Sequence, residues 1–224
     1  MKKRVAIYPS VMCSKPWELK DYIAEFEKAG VDGIHFDVMD GHFVANITLG
    51  TGDYEAIRSL TDLPFNLHFM AEQPEKIMSY FPMRENDMCS FHPEGTRQPY
   101  MLLQMLRNQN IKAGLAISPD TSVDYIENCL ELLDFILVMA VAPGFGGQKM
   151  VPGHLSKLAK IKEIVEKADH KIEIIVDGNT IVEHSIKMLA AGADSLVVGT
   201  SSIMKQGPVK FVENYHHYLE EITK

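Results

Sequence analysis

Asp32-Gly33-Ile34-His35-Phe36-Asp37-Val38, running on into Met39-Asp40-Gly41-His42-Phe43, is the stretch that decides the fold. An apolar run gives way to a polar end that packs two histidines and two aspartates into the nine positions from His35 to Phe43. A helix-period segment precedes it, about Trp17 to Ala29, with Leu19, Ile23 and Phe26 on one stripe and Gly30 as the stop. Helix, glycine, buried strand, polar strand end is the repeating step of a parallel α/β sheet. His35 and Asp37 are two apart, so on a strand they point to the same side. A histidine and a carboxylate side by side there can hold a divalent metal, or one can tune the other as acid and base. The plainer alternative is a polar strand end entering a solvated turn.

The same step repeats along the whole chain. Working outward, strands are expected at Val5 to Tyr8, Asp32 to Val38, Phe65 to Met70, Asp87 to Phe91, Lys112 to Ile117, Phe135 to Val141, Ile172 to Val176 and Ser195 to Val198. Helices are expected at Trp17 to Ala29, Asp53 to Leu60, Glu75 to Tyr80, Pro99 to Asn108, Ser122 to Leu132, His154 to Lys167, Thr180 to Ala191 and Val209 to Ile222. Phe135-Ile136-Leu137-Val138 and Ile172 to Val176 are near-continuous apolar runs, as in strands covered on both faces. Eight βα units without a linker or low-complexity break point to an α/β protein: a single (β/α)8 TIM barrel with parallel strands, one catalytic domain over residues 1–224. An open doubly wound sheet is the alternative. It more often carries G-x-G-x-x-G after its first strand, whereas this strand ends in Pro9-Ser10-Val11-Met12.

Composition narrows the partners. Hydrophobic residues make up 46%, enough for a large core, and the net charge of −8 argues against nucleic-acid and membrane binding. Cys13, Cys89 and Cys129 form no C-x-x-C, so free thiols and a cytoplasmic setting are expected. The basic start Met1-Lys2-Lys3-Arg4 leads into a run too short for a signal peptide, and no apolar segment approaches the roughly 18 residues of a membrane span. A homo-oligomer is expected.

In a barrel, chemistry sits at the C-terminal strand ends. The polar residues there are Ser10, His35, Asp37, His68, His92 and Asp177. His35, Asp37, His68 and Asp177 can converge as four ligands of one divalent cation. Singly, His68 reads equally as a core histidine, and Asp177 as a turn residue before Gly178. The loops Pro143 to Gln148, Gly178-Asn179 and Gly199-Thr200-Ser201 suit an anion held on backbone N–H groups, without an arginine; turn glycines are the competing reading. Met39, Met70 and Met139 fall at strand ends as core filler or as a dry lining of the site. His42, His154, His170, His184, His216 and His217 read as surface residues, and His92, beside Pro93-Glu94, could reach the site but is not counted in it.

These motifs together resemble the ribulose-phosphate 3-epimerase family over essentially the whole length. The resemblance rests on Pro9-Ser10, the run His35 to Val44, Asn46-Ile47-Thr48, His68-Phe69-Met70, Phe91-His92-Pro93-Glu94, Pro143 to Gln148, Val176-Asp177-Gly178 and Gly199-Thr200-Ser201, in order and at barrel spacing. It implies an isomerase that inverts the carbon next to the carbonyl of a ketose phosphate. It implies one divalent metal ion (Zn, Fe, Mn or Co) on His35, Asp37, His68 and Asp177, with Asp37 and Asp177 as the two acid/base groups. Ser10 and His68 would contact the sugar, and the backbone of Gly144, Phe145, Gly146, Gly147, Gly178, Asn179, Gly199 and Thr200 would hold the phosphate. The chemistry asks for such groups: removing a proton α to a carbonyl gives an enediolate that needs stabilising, and reprotonation from the other face needs a second acid.

The expected substrate is D-ribulose 5-phosphate, giving D-xylulose 5-phosphate in pentose-phosphate metabolism. Ala45, Ala142, Met150 and Asn179 depart from common family residues, and Ser10-Val11-Met12-Cys13 is closer to the branch acting on D-allulose 6-phosphate, the alternative. Phosphate-binding decarboxylases of the same superfold use D-x-K-x-x-D, and this chain has no lysine in the equivalent His35 to Asp40. A non-catalytic phosphosugar-binding barrel is the more distant alternative.

Overall fold

Alternation within each strand builds the barrel. In the strand carrying His35 and Asp37, the side chains of Ile34, Phe36 and Val38 join the large core cluster, while His35 and Asp37 take the opposite face. The computed structural model describes residues 4–224; the basic start Met1-Lys2-Lys3 lies outside the described residues. The strands are β1 (Ala6–Pro9), β2 (Ile34–Asp40), β3 (Ile47–Thr48), β4 (Phe65–Met70), β5 (Met88–Phe91), β6 (Lys112–Ile117), β7 (Phe135–Met139), β8 (Glu173–Asp177) and β9 (Ser195–Val198). They form one sheet in the order β1-β9-β8-β7-β6-β5-β4-β2-β3, parallel throughout except for the short β3, which runs antiparallel to β2. A parallel bridge between Ser10 and His35 joins β1 to β2 and closes the curl. The fold is an α/β TIM barrel.

The helices are α1 (Leu19–Ala29), α2 (Thr51–Arg58), α3 (Pro74–Met78), α4 (Pro99–Asn108), α5 (Asp124–Glu127), α6 (His154–Val165), α7 (Val182–Ala190) and α8 (Phe211–Ile222). Their apolar stripes cover the outward strand faces, as with Ile23 and Phe26 of α1 packing on Phe211 of α8. Inside the barrel, Tyr8, Met88, Ala116, Phe135, Leu137, Ile175 and Val197 form a second apolar layer. Large and small alternate across it: a Cβ at Gly114 would sit 2.5 Å from the Phe135 ring, so only glycine leaves room there. That layer plugs the barrel and leaves the C-terminal mouth to polar residues.

The other rim is tied by aspartates that precede strands. Asp32 accepts the Ile7 N–H at 2.9 Å, Asp87 that of Phe65 at 2.8 Å, Asp134 that of Ala113 at 2.8 Å and Asp194 that of Ile174 at 2.9 Å. Each pins the start of a neighbouring strand and fixes its register.

The expected element bounds agree to within a few residues, with two differences. The single helix expected over Ser122 to Leu132 is α5 alone, followed by a tight 3-10 turn at Leu130–Leu132. Apolar residues there are too frequent for one stripe, and the break lets Cys129 and Leu133 both enter the core. The strand β3 was not expected: it is two residues long, below the reach of any periodicity.

Candidate active site at the barrel mouth

Asp37 is the hub. It is buried near the C-terminal end of β2, and its two oxygens are fully engaged. Ser10 Oγ donates to Oδ2 at 2.7 Å, while His35 Nε2 lies 3.1 Å and His68 Nδ1 3.2 Å from Oδ1. Asp177, the last residue of β8, brings Oδ2 to 3.7 Å from His35 Nε2. Strand register explains the meeting: Asp37 pairs with His68 across β2 and β4. The Ser10–His35 bridge brings β1 alongside. Asp40, on the opposite parity of β2, caps the following turn by accepting the N–H groups of His42, Phe43 and Glu72.

One donor atom from each of His35, Asp37, His68 and Asp177 lies within 4.8 Å of the others. Ligands about 2.0–2.2 Å from a cation stand roughly 3.4 Å apart at a tetrahedral centre. The contacts of 3.1, 3.2 and 3.7 Å bracket that spacing, and two imidazoles with two carboxylates are a normal donor set for a divalent transition metal. The residues therefore fit such an ion.

The two carboxylates differ in environment. Burial alone would raise Asp37, but the His35 and His68 rings beside it outweigh this and hold it well below the usual carboxylate range. Asp177 is pushed up by burial and by the Asp37 charge, which the histidines only partly offset. Burial would lower His35, yet the adjacent Asp37 carboxylate, with Asp177 further off, holds it above its ordinary value.

Above this floor the mouth is lined by Ser10, Met39, Met70 and Met139, by Gly144, Phe145, Gly146 and Gly147, and by Gly178, Asn179, Gly199 and Thr200. Of the residues anticipated for the sugar, phosphate or lining, all but His68 face one cleft; His68 is buried beneath it with His35. Gly178 has φ +104°, and a Cβ there would meet Val141 at 2.7 Å, so the turn after Asp177 requires glycine. The loop after β7 is braced from several sides. Asn46 Nδ2 donates to the Gly144 carbonyl at 2.8 Å, Gln148 Nε2 to those of Ala142 and Phe145 at 2.7 and 2.8 Å, and Asn179 Nδ2 to that of Gln148 at 2.9 Å.

Three features go beyond the site expected from the sequence or differ from it. Met12 and Cys13 line the mouth. His92 reaches the cluster: its Nε2 is 2.9 Å from His68 Nε2. Its place two residues beyond Ser90, on the inward parity of β5, was the signal that could have found it. Burial, with a further push from His68, holds the His92 imidazole well below its ordinary value. His154 is a correction: expected at the surface, it is buried, because the first turn of α6 folds over Met139 at the end of β7. His42, His216 and His217 are exposed, and His170 and His184 partly so.

Fold and site together define a TIM barrel with a buried His/Asp cluster, able to hold a cation, at its C-terminal mouth. Comparison with known proteins narrows this further. The model of the ribulose-phosphate 3 epimerase family matches residues 6–203. The ribulose-phosphate 3-epimerase of Bacillus subtilis is 38% identical over 198 residues, 88% of this chain and 91% of that protein. That of Escherichia coli K12 is 31% identical over 222 residues, 99% of each. Among solved structures, the tryptophan synthase alpha-subunit of Pyrococcus furiosus superposes with a TM-score of 0.64 at 14% identity, covering 99% of this chain and 98% of that one, a likeness of fold alone. The chain belongs to the ribulose-phosphate 3-epimerase family. It is an epimerase, an enzyme of the isomerase class. No described helix is long and apolar enough to cross a membrane.

Proposed function

We propose that this chain is a metal-dependent ketose-phosphate 3-epimerase interconverting D-ribulose 5-phosphate and D-xylulose 5-phosphate by two-base proton transfer at C3. The observation that carries the reading is the convergence of Asp37 and Asp177 on one buried point with His35 and His68. Held by His35, Asp37, His68 and Asp177, a divalent cation would supply Lewis-acid stabilisation of the negative charge that develops as the C3 proton leaves. Zn, Fe, Mn and Co all suit the donors.

The protein's own groups do the proton work. One carboxylate, ionised, takes the C3 proton from one face of the sugar. The other, protonated, delivers its proton to the opposite face, and the configuration inverts. The two then hold each other's starting protonation, which serves the reverse direction. The unlike surroundings of the two carboxylates, with the histidines lowering Asp37 and burial raising Asp177, support such unequal roles. Ser10 holds Asp37 Oδ2 in place through its 2.7 Å hydrogen bond and stands beside the sugar. The methionines Met39, Met70 and Met139 keep water from the reacting carbon. The phosphate is held by the backbone around Gly144 to Gly147, Gly178-Asn179 and Gly199-Thr200, with N–H groups and no arginine, so the acidic net charge of −8 is met by local dipoles.

A second reading, D-allulose 6-phosphate epimerisation, is favoured by Met12 and Cys13 of the Ser10-Val11-Met12-Cys13 segment lining the mouth. Offering both ketose phosphates to the metal-loaded enzyme and comparing kcat/KM tests the choice. Preference for ribulose 5-phosphate by a factor of about ten or more bears out the first reading, preference for the hexulose bears out the second, and turnover of neither contradicts both.

A further inference from the structure

His92 lies outside the four-residue cluster but is buried against it. Its Nε2 is 2.9 Å from His68 Nε2, and its Nδ1 is 3.0 Å from Ser118 Oγ. Phe43 stacks on its face, ring centroids 4.8 Å apart and planes inclined by 30°. Ser118 is itself pinned, because its N–H donates to Thr121 Oγ1 at 3.1 Å and that hydroxyl donates to Glu94, two residues beyond His92. The ring is clamped on one face and at both nitrogens.

Two imidazole nitrogens 2.9 Å apart share a single hydrogen, one donating and the other accepting. His68 faces the cluster through Nδ1, which lies 3.2 Å from Asp37 Oδ1. A ligating nitrogen needs its lone pair free, so the hydrogen of His68 must sit on Nε2 and point at His92. His92 Nε2 is then the acceptor, and its own hydrogen is on Nδ1, donated to Ser118 Oγ. The reverse arrangement, with His92 Nε2–H donating to His68, leaves the His68 hydrogen on Nδ1 and closes that ligand position. Partners that set the tautomer of a ligating histidine typically change metal affinity by about 10–100-fold when removed.

We propose that His92, oriented by Ser118, is a positioning residue that holds His68 in the tautomer whose Nδ1 is open to a divalent cation. This rests on the reading that the cluster binds such an ion. The test measures Zn(II) affinity of the purified full chain by competition with a chelator, alongside thermal melting of each variant. His92→Leu is expected to bind Zn(II) about 10–100-fold more weakly, and His92→Gln, whose side-chain carbonyl can accept from His68 Nε2, to recover most of the loss. Equal affinity in His92→Leu and the parent, or a Gln variant no better than Leu, overturns the proposal. A parent chain that binds no Zn(II), Mn(II) or Co(II) overturns the underlying reading, and this inference with it. An independent check needs no variant: in the Zn(II)-loaded parent, long-range 1H–15N correlations should show the His92 hydrogen on Nδ1, and a hydrogen on Nε2 overturns the assignment.

Discussion

Asp37 and Asp177 share a residue type and a cluster, yet their surroundings push them in opposite directions. Replacing either by asparagine keeps size and removes the carboxyl proposed to transfer the proton. Asp37→Asn and Asp177→Asn are each expected to lower kcat about 10²–10⁴-fold with the circular dichroism spectrum unchanged; substantial turnover in either contradicts the two-base reading. His154 gives a second prediction at this scale. Both its ring nitrogens are buried without a hydrogen bond, and burial, only partly offset by the nearby Met139 carbonyl, lowers its pKa to about 4. Above about pH 6.5 the ring is neutral in both folded and unfolded chains, so pH has no effect through it. Between about 6.5 and 4 only the unfolded chain takes up the proton, so stability falls by on the order of 3 kcal/mol and then levels off. His154→Leu should lessen the fall in urea midpoint from pH 7 to 4, with the remainder carried by groups such as the buried His92, and curves parallel to the parent's would contradict this. In the sequence His154 is one polar residue opening an amphipathic helix, and nothing in its neighbours tells of Met139 beneath it. The His35–Asp37 pair was legible because period two fixes parity within one strand. The His68–His92–Ser118 chain spans β4, β5 and the end of β6 and depends on register between strands, which no local pattern carries.

At the scale of elements, the strands of the barrel are set from both ends. Their C-terminal ends present the site, and their N-terminal ends are tied by aspartates to neighbouring strands. Asp87 is the most engaged of these. It accepts the N–H groups of Phe65 and Arg84 and forms a buried ion pair with Arg58, Nη2 to Oδ2 2.6 Å, and the Arg58 guanidinium lies 3.6 Å above the Phe65 ring. Asp87→Ala leaves a buried guanidinium unpaired, expected to cost about 3–5 kcal/mol. For a chain of this length, that is a fall in Tm of roughly 6–20 °C. Because Asp87 stands at the far rim, kcat and KM at 25 °C should be unchanged; a normal Tm, or a changed KM, would contradict the division of labour between the rims. The strands were read well because buried parallel strands are continuous apolar runs bounded by glycine and proline. The early end of α5 and the strand β3 were not, since α5 stops where Cys129 and Leu133 turn into the core, and β3 is two residues paired antiparallel to the end of β2, beside the Thr48 Oγ1 hydrogen bond to the Asp37 carbonyl at 2.9 Å.

For the whole molecule, the closed barrel is what makes the cluster. Its strands bring Ser10, Asp37, His68 and Asp177 together from β1 and its end, β2, β4 and β8, positions spread over most of the chain. The central claim is that inversion needs two carboxylic groups on opposite sides of one carbon. Running the reaction in D2O and following C3 by proton NMR from the first turnovers tests it most directly. Because the proton delivered is not the proton removed, the product should carry deuterium at C3 in nearly every molecule. Product that keeps its original C3 protium would mean that the hydrogen removed is the hydrogen returned, and would contradict the account.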